Sequence, residues 1–432
     1  MSDKRIGVLD KAFSKINSVE KKLGFAKSKL TQPLSYDEVN TICHSWQMYD
    51  TTLFVGDNLA YLQALAAGDH GFVDVCYIDP PYNTGTKLLY NDNRKSKNMG
   101  PFGTHTAWLQ FMLPRLVMAH ALLKSKGIIA ISIDDYEYAH LKILMDRVFG
   151  EANFIGDIIV CRSKGGKGSK DNLATTHEHL LIYGKSKLAS LRGEVDEGIY
   201  DKHDEFGQYR VDGLFRKKGE GSLRTDRPNM YYPIYCHPSN GKVSISPIDG
   251  WREVYPVDSK GIERRWIWGV ETATKKAWQL YASKNGVVYI KNYAGSGDTP
   301  KRTKVRTIWT DAEFHTEKGT NELKELFGKK VFDTPKPLVF IKKIIDISSQ
   351  KDAIILDFFA GSGTTAHAAA EMNADDGGTR RCILMESDCH VPDNHVAMEM
   401  GFSKIADITE YRLRLIKGIL SSFCYKSYLL GK

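Results

Sequence analysis

A chain of 432 residues, 42% hydrophobic and 26% charged, is long enough for two or three domains and can bury a sizeable core, which excludes a disordered or fibrous protein. Its formal charge of +8 favours a polyanionic partner. The seven scattered cysteines form no Cys-x-x-Cys pair, the start Met1-Ser-Asp-Lys-Arg5 lacks the apolar stretch of a signal peptide, and no run approaches the roughly 18 apolar residues of a membrane span, so reduced thiols, a cytoplasmic location and no membrane association are expected.

Leu9, Phe13, Ile16, Val19 and Leu23 recur at helical spacing among lysines, so residues 9–30 read as an amphipathic helix within an N-terminal helical arm, 1–45. Leu53 to Asn58 reads as a short strand ending at Gly56-Asp57, followed by a helix from Leu59 to Ala67 and an apolar strand from Val75 to Ile78. Strand, helix, strand implies a parallel pair, with Asp57 ending one strand over from Asp79. The second strand stops at Asp79-Pro80-Pro81-Tyr82, where an open α/β sheet delivers its chemistry. Two prolines fix φ and remove two donors, leaving a rigid corner of carbonyl acceptors, one carboxylate and one ring. That set suits a flat, nitrogen-rich group such as a nucleobase; a strand exit of no chemical use is the competing reading.

The polar segment from Thr86 to Thr106 is long enough to close over a substrate. A helix from Trp108 to Lys124, a strand from Ile128 to Ile133, a helix from Tyr136 to Phe149, and strands from Phe154 to Val160 and His179 to Tyr183 complete a first α/β half, 46–190. The basic run Arg162-Ser-Lys-Gly-Gly-Lys-Gly-Ser-Lys170 lacks the spacing of a P-loop and reads either as a phosphate-contacting loop or as a solvated one. His177/His179 and Cys389-His390 have no second pair at ligand spacing, so no metal is expected.

From 191 to 330 the alternation disappears, glycine and proline recur, and five of the seven tryptophans appear. Residues 161–330 hold 31 Lys+Arg against 22 Asp+Glu, so the positive excess is expected in this insert. Arg264-Arg265-Trp266-Ile-Trp268 and Lys301-Arg-Thr-Lys-Val-Arg306 mix cations with aromatic and β-forming residues, as phosphate-gripping surfaces do, although some of the tryptophans must be core. The α/β pattern resumes over 331–420, with a helix from Leu338 to Ile347, a strand from Ala353 to Leu356, a helix from Ala366 to Met372, a strand from Arg381 to Met385 and a helix from Ile405 to Ile416, before a tail, 421–432. Between the first of these strands and the next helix lies Asp357-Phe-Phe-Ala-Gly-Ser-Gly-Thr-Thr365. Gly361 and Gly363 permit close backbone approach, and Glu386, at the tip of the next strand, can bond ribose hydroxyls, which together make a nucleoside site. The extra acid, Asp357, can hold an ammonium group and points to S-adenosylmethionine, with NAD the weaker alternative.

Asp79-Pro-Pro-Tyr-Asn-Thr-Gly85 followed by Phe359-Ala-Gly-Ser-Gly-Thr-Thr365 resembles the β-class amino-methyltransferases of DNA, which include the modification (Mod) subunits of type III restriction systems. The likeness spans nearly the whole chain through Gly56-Asp-Asn58, Trp108-x-x-Phe-Met-x-x-Arg115, Ser132-Ile-Asp-Asp-x-Glu137, Phe149-Gly-Glu-x-Asn-Phe154, Arg227-Pro-Asn-Met-Tyr-Tyr-Pro233, Arg265-Trp-x-Trp268 and Phe332-Asp-Thr-Pro-Lys-Pro337; the chain is shorter than type III modification subunits, chiefly in the insert. The resemblance implies a Rossmann-like, S-adenosylmethionine-dependent methyltransferase fold of class α/β, with circularly permuted motif order and an inserted β-rich target-recognition domain. It implies methylation of adenine N6 in a base flipped from double-stranded DNA, within restriction-modification. Cytosine N4 or RNA as substrate, or a catalytically silent DNA-binding subunit, are the alternatives. By the same resemblance Asp79, Pro80, Pro81 and Tyr82 are catalytic, with Asp79 and the Pro80 carbonyl accepting from the amino group and Tyr82 stacking on the base. Asp357, Phe359, Ala360, Gly361, Gly363 and Thr364 line the methionine end of the cofactor, Glu386 takes the ribose, Asp57 the adenine ring, and Lys336 the carboxylate end. A homodimer and a separate restriction subunit are further partners the family suggests.

Overall fold

A computed structural model of the protein describes residues 2–24, 36–68, 71–83, 105–165, 167–168, 173–296 and 299–429. The segment 86–104, most of the Arg162–Lys170 run beyond residue 165, and the expected helical residues 25–30 lie outside the described residues. The chain forms two compact units, one of residues 1–192 and 304–432, the other of 193–303.

The larger unit is built on nine strands: β1 Thr51–Val55, β2 Val73–Ile78, β3 Leu123–Ile133, β4 Phe154–Cys161, β5 His177–Gly184, β6 Ile308–Trp309, β7 Ile354–Asp357, β8 Arg381–Glu386 and β9 Tyr425–Leu429. Their order across the sheet is β6-β4-β5-β3-β2-β7-β8-β1-β9. The helices are α1 Ser2–Leu23, α2 Tyr36–Ser45, α3 Asn58–Gly68, α4 His105–Leu122, α5 Tyr138–Met145, α6 Thr316–Phe327, α7 Leu338–Ser348, α8 Thr364–Asp376 and α9 Ile405–Ile419. Alternate strand residues face opposite helical layers, as a period of two requires. Phe54, Cys76, Ile78, Leu356, Ile383 and Met385 pack with α1–α5, while Leu53, Val55, Tyr77, Ile355, Cys382 and Leu384 pack with α7–α9. Burial on both faces is why these strands read as continuous apolar runs.

One strand relation differs from the sequence expectation. β1 and β2 are parallel but not neighbours: β7 and β8 lie between them, so Asp57 ends three strands from Asp79. Chain order reports the sense of a strand–helix–strand unit, not what a segment almost 280 residues downstream inserts between its strands. β5 runs antiparallel to both β3 and β4. The expected tail contains β9, which adds in parallel to the outer edge of β1.

The smaller unit carries a four-stranded antiparallel sheet, in which Gly207–Leu214 pairs with Val288–Tyr293, and a three-stranded one centred on Ile234–Cys236. Its core is Phe215, Tyr232, Ile234, Trp266, Leu280 and Val288. Trp266 belongs to that core, its Nε1 donating to the Tyr232 carbonyl at 2.8 Å, and the Arg265 guanidinium donates to the Gly221 carbonyl, so this stretch serves the fold. The unit ends at Thr303 rather than 330 because β6 returns to the sheet beside β4, and Leu323 and Phe327 of α6 bury against Phe402, Ile405 and Ile408. The unit carries 18 Lys+Arg against 15 Asp+Glu, whereas residues 161–192 carry seven against two. The positive excess is therefore denser in the sequence segment 161–192 than in the insert. Among the described residues no helix is long and apolar enough to cross a membrane.

Candidate active site

β2 and β7 are hydrogen-bonded neighbours, so their carboxyl ends bring Asp79 and Asp357 together although 277 residues separate them in the chain. The corner after β2 is braced from outside. Trp108 Nε1 donates to the Pro81 carbonyl at 2.7 Å, and Asn83 Nδ2 to Glu137 Oε1 at 2.5 Å. Asn83 has φ +58°, the one positive value for a non-glycine among the described residues, and Glu137, fully buried, holds it there. The Tyr82 hydroxyl donates to Asp79 Oδ1 at 2.5 Å. Burial, together with nearby Glu178, raises the Asp79 pKa above the usual carboxylate value against the opposing pull of Lys336.

The turn after β7 is wound around Asp357. Its Oδ1 accepts the Phe359 N–H at 3.1 Å and its Oδ2 the Thr365 hydroxyl at 2.6 Å. Gly361 (φ +54°) and Gly363 (φ +79°) occupy the left-handed region, and Gly363 caps α8. Glu386 Oε2 accepts the Gly361 N–H at 2.6 Å. From behind, the buried Arg412 guanidinium donates to the Thr364 hydroxyl at 2.8 Å and to that of Ser362 at 3.1 Å. Burial pushes Asp357 and Glu386 up to about 7, with Asp79 adding to the effect at Asp357 and Asp357 adding at Glu386.

Asp79, Lys336, Asp357, Phe359, Ala360, Gly361, Thr364 and Glu386 line one cavity, together with Phe332, Thr334, Ser362, Thr365 and Ile405. Pro80, Pro81 and Tyr82 form the adjoining corner, and Gly363 backs onto Thr409. Asp57 stands at the end of β1, beside β8, where its Oδ1 caps α3 through the Leu59 N–H at 3.0 Å and takes Arg115 Nη2 at 3.1 Å. Lys336 sits on the Asp79 side of the cavity: its Nζ donates to both oxygens of Glu178 at 2.7 Å and to the Tyr82 oxygen at 2.8 Å, where the resemblance implied the cofactor's carboxylate end. The buried Glu178 attracts it there. Glu178 and Arg412 were missed by sequence reasoning, and Arg115 was named there only within a motif, since each acts on a residue far away in the chain.

Two histidine–acid groups lie close enough to share an ion, His105/Glu137/His140 and Asp135/His177/His179. In the first, His105 bonds Glu137 at 2.8 Å and stacks on His140; in the second, His179 bonds Asp157 at 2.9 Å and Asp135 at 3.2 Å. Each acid already serves as a hydrogen-bond partner for the protein's own imidazoles. The six described cysteines are free thiols.

The family model described as a DNA methylase, N6_N4_Mtase, matches residues 73–390, spanning both halves of the cavity. The chain belongs to the N6/N4 DNA methylase family. It is 55% identical over 97% of its length to the type II methyltransferase M.KpnI of Klebsiella pneumoniae, of which it covers 99%. It is 34% identical over 84% of its length to the Mod subunit of the type III restriction-modification enzyme EcoPI of Escherichia phage P1, and 33% identical over 87% to that of StyLTI of Salmonella typhimurium, spanning 61% and 58% of those relatives. The α/β sheet is the Rossmann-like methyltransferase architecture, and enzymes of this family use S-adenosylmethionine.

Proposed function

We propose that the protein transfers a methyl group from S-adenosylmethionine to N6 of an adenine flipped from double-stranded DNA, in a restriction-modification system. The observation that carries this reading is the meeting of an Asp79-Pro80 acceptor corner with a glycine turn and the carboxylates of Asp357 and Glu386 in one cavity. The donor set fits the cofactor. Asp357 and Glu386 are acids held near neutrality by burial, bonded by hydroxyl and amide groups, and a cationic ligand is what such a pair favours. Asp357, Phe359, Ala360, Gly361 and Thr364 hold its amino-acid end, Glu386 its ribose, and Gly363 sets the start of α8. Asp57, fixed by Arg115, closes the adenine end.

The cofactor supplies an electrophilic methyl group on a sulfonium. The adenine amino group is a weak nucleophile because its lone pair is delocalised into the ring. Asp79 and the Pro80 carbonyl each accept one of its hydrogens, which localises the lone pair and aims it, so orientation and electrostatics do the work. Tyr82 stacks on the flipped base. Asp79 takes up the released proton, which its raised pKa favours. The 193–303 unit reads the target, with its arginines and lysines at base edges and phosphates. A homodimer and a separate restriction chain are partners this reading accommodates.

The relatives named as Mod subunits and the acid at position 79 favour adenine over cytosine N4, which the family also includes. The test is methyl incorporation into unmethylated DNA from labelled cofactor, followed by nucleoside chromatography. N6-methyladenine is expected from the wild type, with Asp79→Ala lower by on the order of a hundredfold to a thousandfold and cofactor affinity kept. N4-methylcytosine would move the assignment to the other branch, and equal incorporation by both proteins would remove the mechanism.

A further inference from the structure

Glu178 has no part in the reaction as described so far, yet it is the most heavily engaged charge beside Asp79. It lies on β5, is 3% exposed, and gives both carboxylate oxygens to Lys336 Nζ at 2.7 Å. Arg162 stands 3.6 Å from Oε2, and the Tyr82 hydroxyl 3.3 Å from the same atom. Two acids, Asp79 and Glu178, and two cations, Lys336 and Arg162, therefore meet around the Tyr82 hydroxyl. A buried carboxylate is kept only where such partners hold it.

The set has a consequence for Asp79. Its Oδ1, one of the acceptors an incoming amino group needs, already takes the Tyr82 hydroxyl at 2.5 Å, and Lys336 Nζ lies 3.3 Å away. An ammonium drawn fully onto Asp79 would block the acceptor. Glu178 is the competing anion, and it wins Lys336 by distance, 2.7 Å against 3.3 Å. The Tyr82 hydroxyl stands between the same two acids, able to give its one proton to either.

We propose that Glu178 is a positioning residue that holds Lys336 off Asp79 and receives the Tyr82 hydroxyl when the target amino group claims Asp79. The inference rests on the methyl-transfer reading above. No proton is gained or lost in the exchange: the Tyr82 O–H leaves Asp79 Oδ1 for Glu178 Oε2, and one amino N–H takes its place on Asp79. Burial and the nearby Glu178 charge both raise the Asp79 pKa, so a fixed Glu178 also readies Asp79 to receive the proton released after transfer.

The test uses the full chain, labelled S-adenosylmethionine and unmethylated bacteriophage DNA under single-turnover conditions. Glu178→Gln is expected to slow transfer at least tenfold with cofactor dissociation constant within threefold of wild type, because Lys336 then settles on Asp79. Adding Lys336→Met to Glu178→Gln is expected to restore at least threefold of the loss, and Glu178→Asp, which keeps the charge, to fall between wild type and Gln. A Glu178→Gln rate closer to wild type than tenfold overturns the proposal. So does a double variant no faster than the single one, the result expected if Glu178 merely supports the fold; thermal melting of each variant accompanies the rates. Failure of the wild type itself to methylate DNA would instead remove the parent reading.

Discussion

Asp357 and Glu386 set the sign of the pH dependence expected at the proposed cofactor site. Their ordinary values are 3.8 and 4.5, and burial pushes both up to about 7. Between those limits the folded, ligand-free chain holds more protons than the unfolded chain. Their contribution to stability is therefore fully present below about 4 and lost as pH rises through about 7. A bound cation reverses the preference by favouring the ionised acids. Cofactor affinity is expected to rise from pH 6 to pH 8, by up to about tenfold for each pKa unit the ligand removes. Proton release on binding should appear in calorimetry as a heat that depends on the buffer's ionisation enthalpy. Asp357→Asn, at the amino-acid end, should weaken binding and flatten the profile; an affinity independent of pH over this range would show that Asp357 does not meet the cation. These two residues were legible in the sequence because each ends an apolar run. Glu178 was not, since its partner Lys336 lies 158 residues away and the strand that carries it reads as ordinary core.

At the scale of the element, the turn from β7 into α8 joins a left-handed backbone to the proposed cofactor site. Gly363 adopts φ +79°, and a Cβ there would meet Thr409 Cγ2 at 3.2 Å. Gly377, at the other end of α8, has φ +65° with nothing within 4 Å of the added carbon. Both substitutions to alanine incur the left-handed cost of about 1–2 kcal/mol. Only Gly363→Ala also presses α9 and shifts the Thr364 amide and hydroxyl at the cavity wall. Gly377→Ala is therefore expected to lower the melting temperature and leave the cofactor dissociation constant unchanged, while Gly363→Ala lowers both stability and affinity. Parallel loss of affinity in the two variants would mean that the turn binds through stability alone. The turn could be read from the sequence because glycines flanked by a strand and a helix have few other uses. The neighbours of its strand could not: β1 and β2 read as a pair, and the insertion of β7 and β8 between them follows from long-range burial that no local pattern records. The edge strand β9, short and mixed in character, carried no periodic signal at all.

Across the whole molecule the distribution of charge sorts two contributions to DNA binding. Counterion release depends on how many phosphates are neutralised, and base reading depends on side chains placed in a groove. The compact 193–303 unit, proposed above to read the target, is nearly balanced, with 18 Lys+Arg against 15 Asp+Glu. Residues 161–192 hold seven against two, a denser positive excess in the sequence. Of the seven, Arg162 is engaged by Glu178, Lys185 by His120 and Arg192 by the Ser349 carbonyl; of the other four, Lys164, Lys167 and Lys170 share one glycine-rich run and are the cations to remove. If all three meet phosphates, their joint change to alanine should lower the slope of log affinity against log salt by roughly 2–3, at about 0.9 for each contact on a duplex. The loss should be the same on cognate and unrelated DNA, because phosphates carry no sequence. Substituting exposed arginines of the smaller unit, such as Arg227, should instead narrow the gap between cognate and unrelated duplexes with little change in slope. Fluorescence anisotropy over a salt series separates the two, and a triple-lysine variant that loses only cognate binding would place base reading in the 161–192 segment and attraction elsewhere.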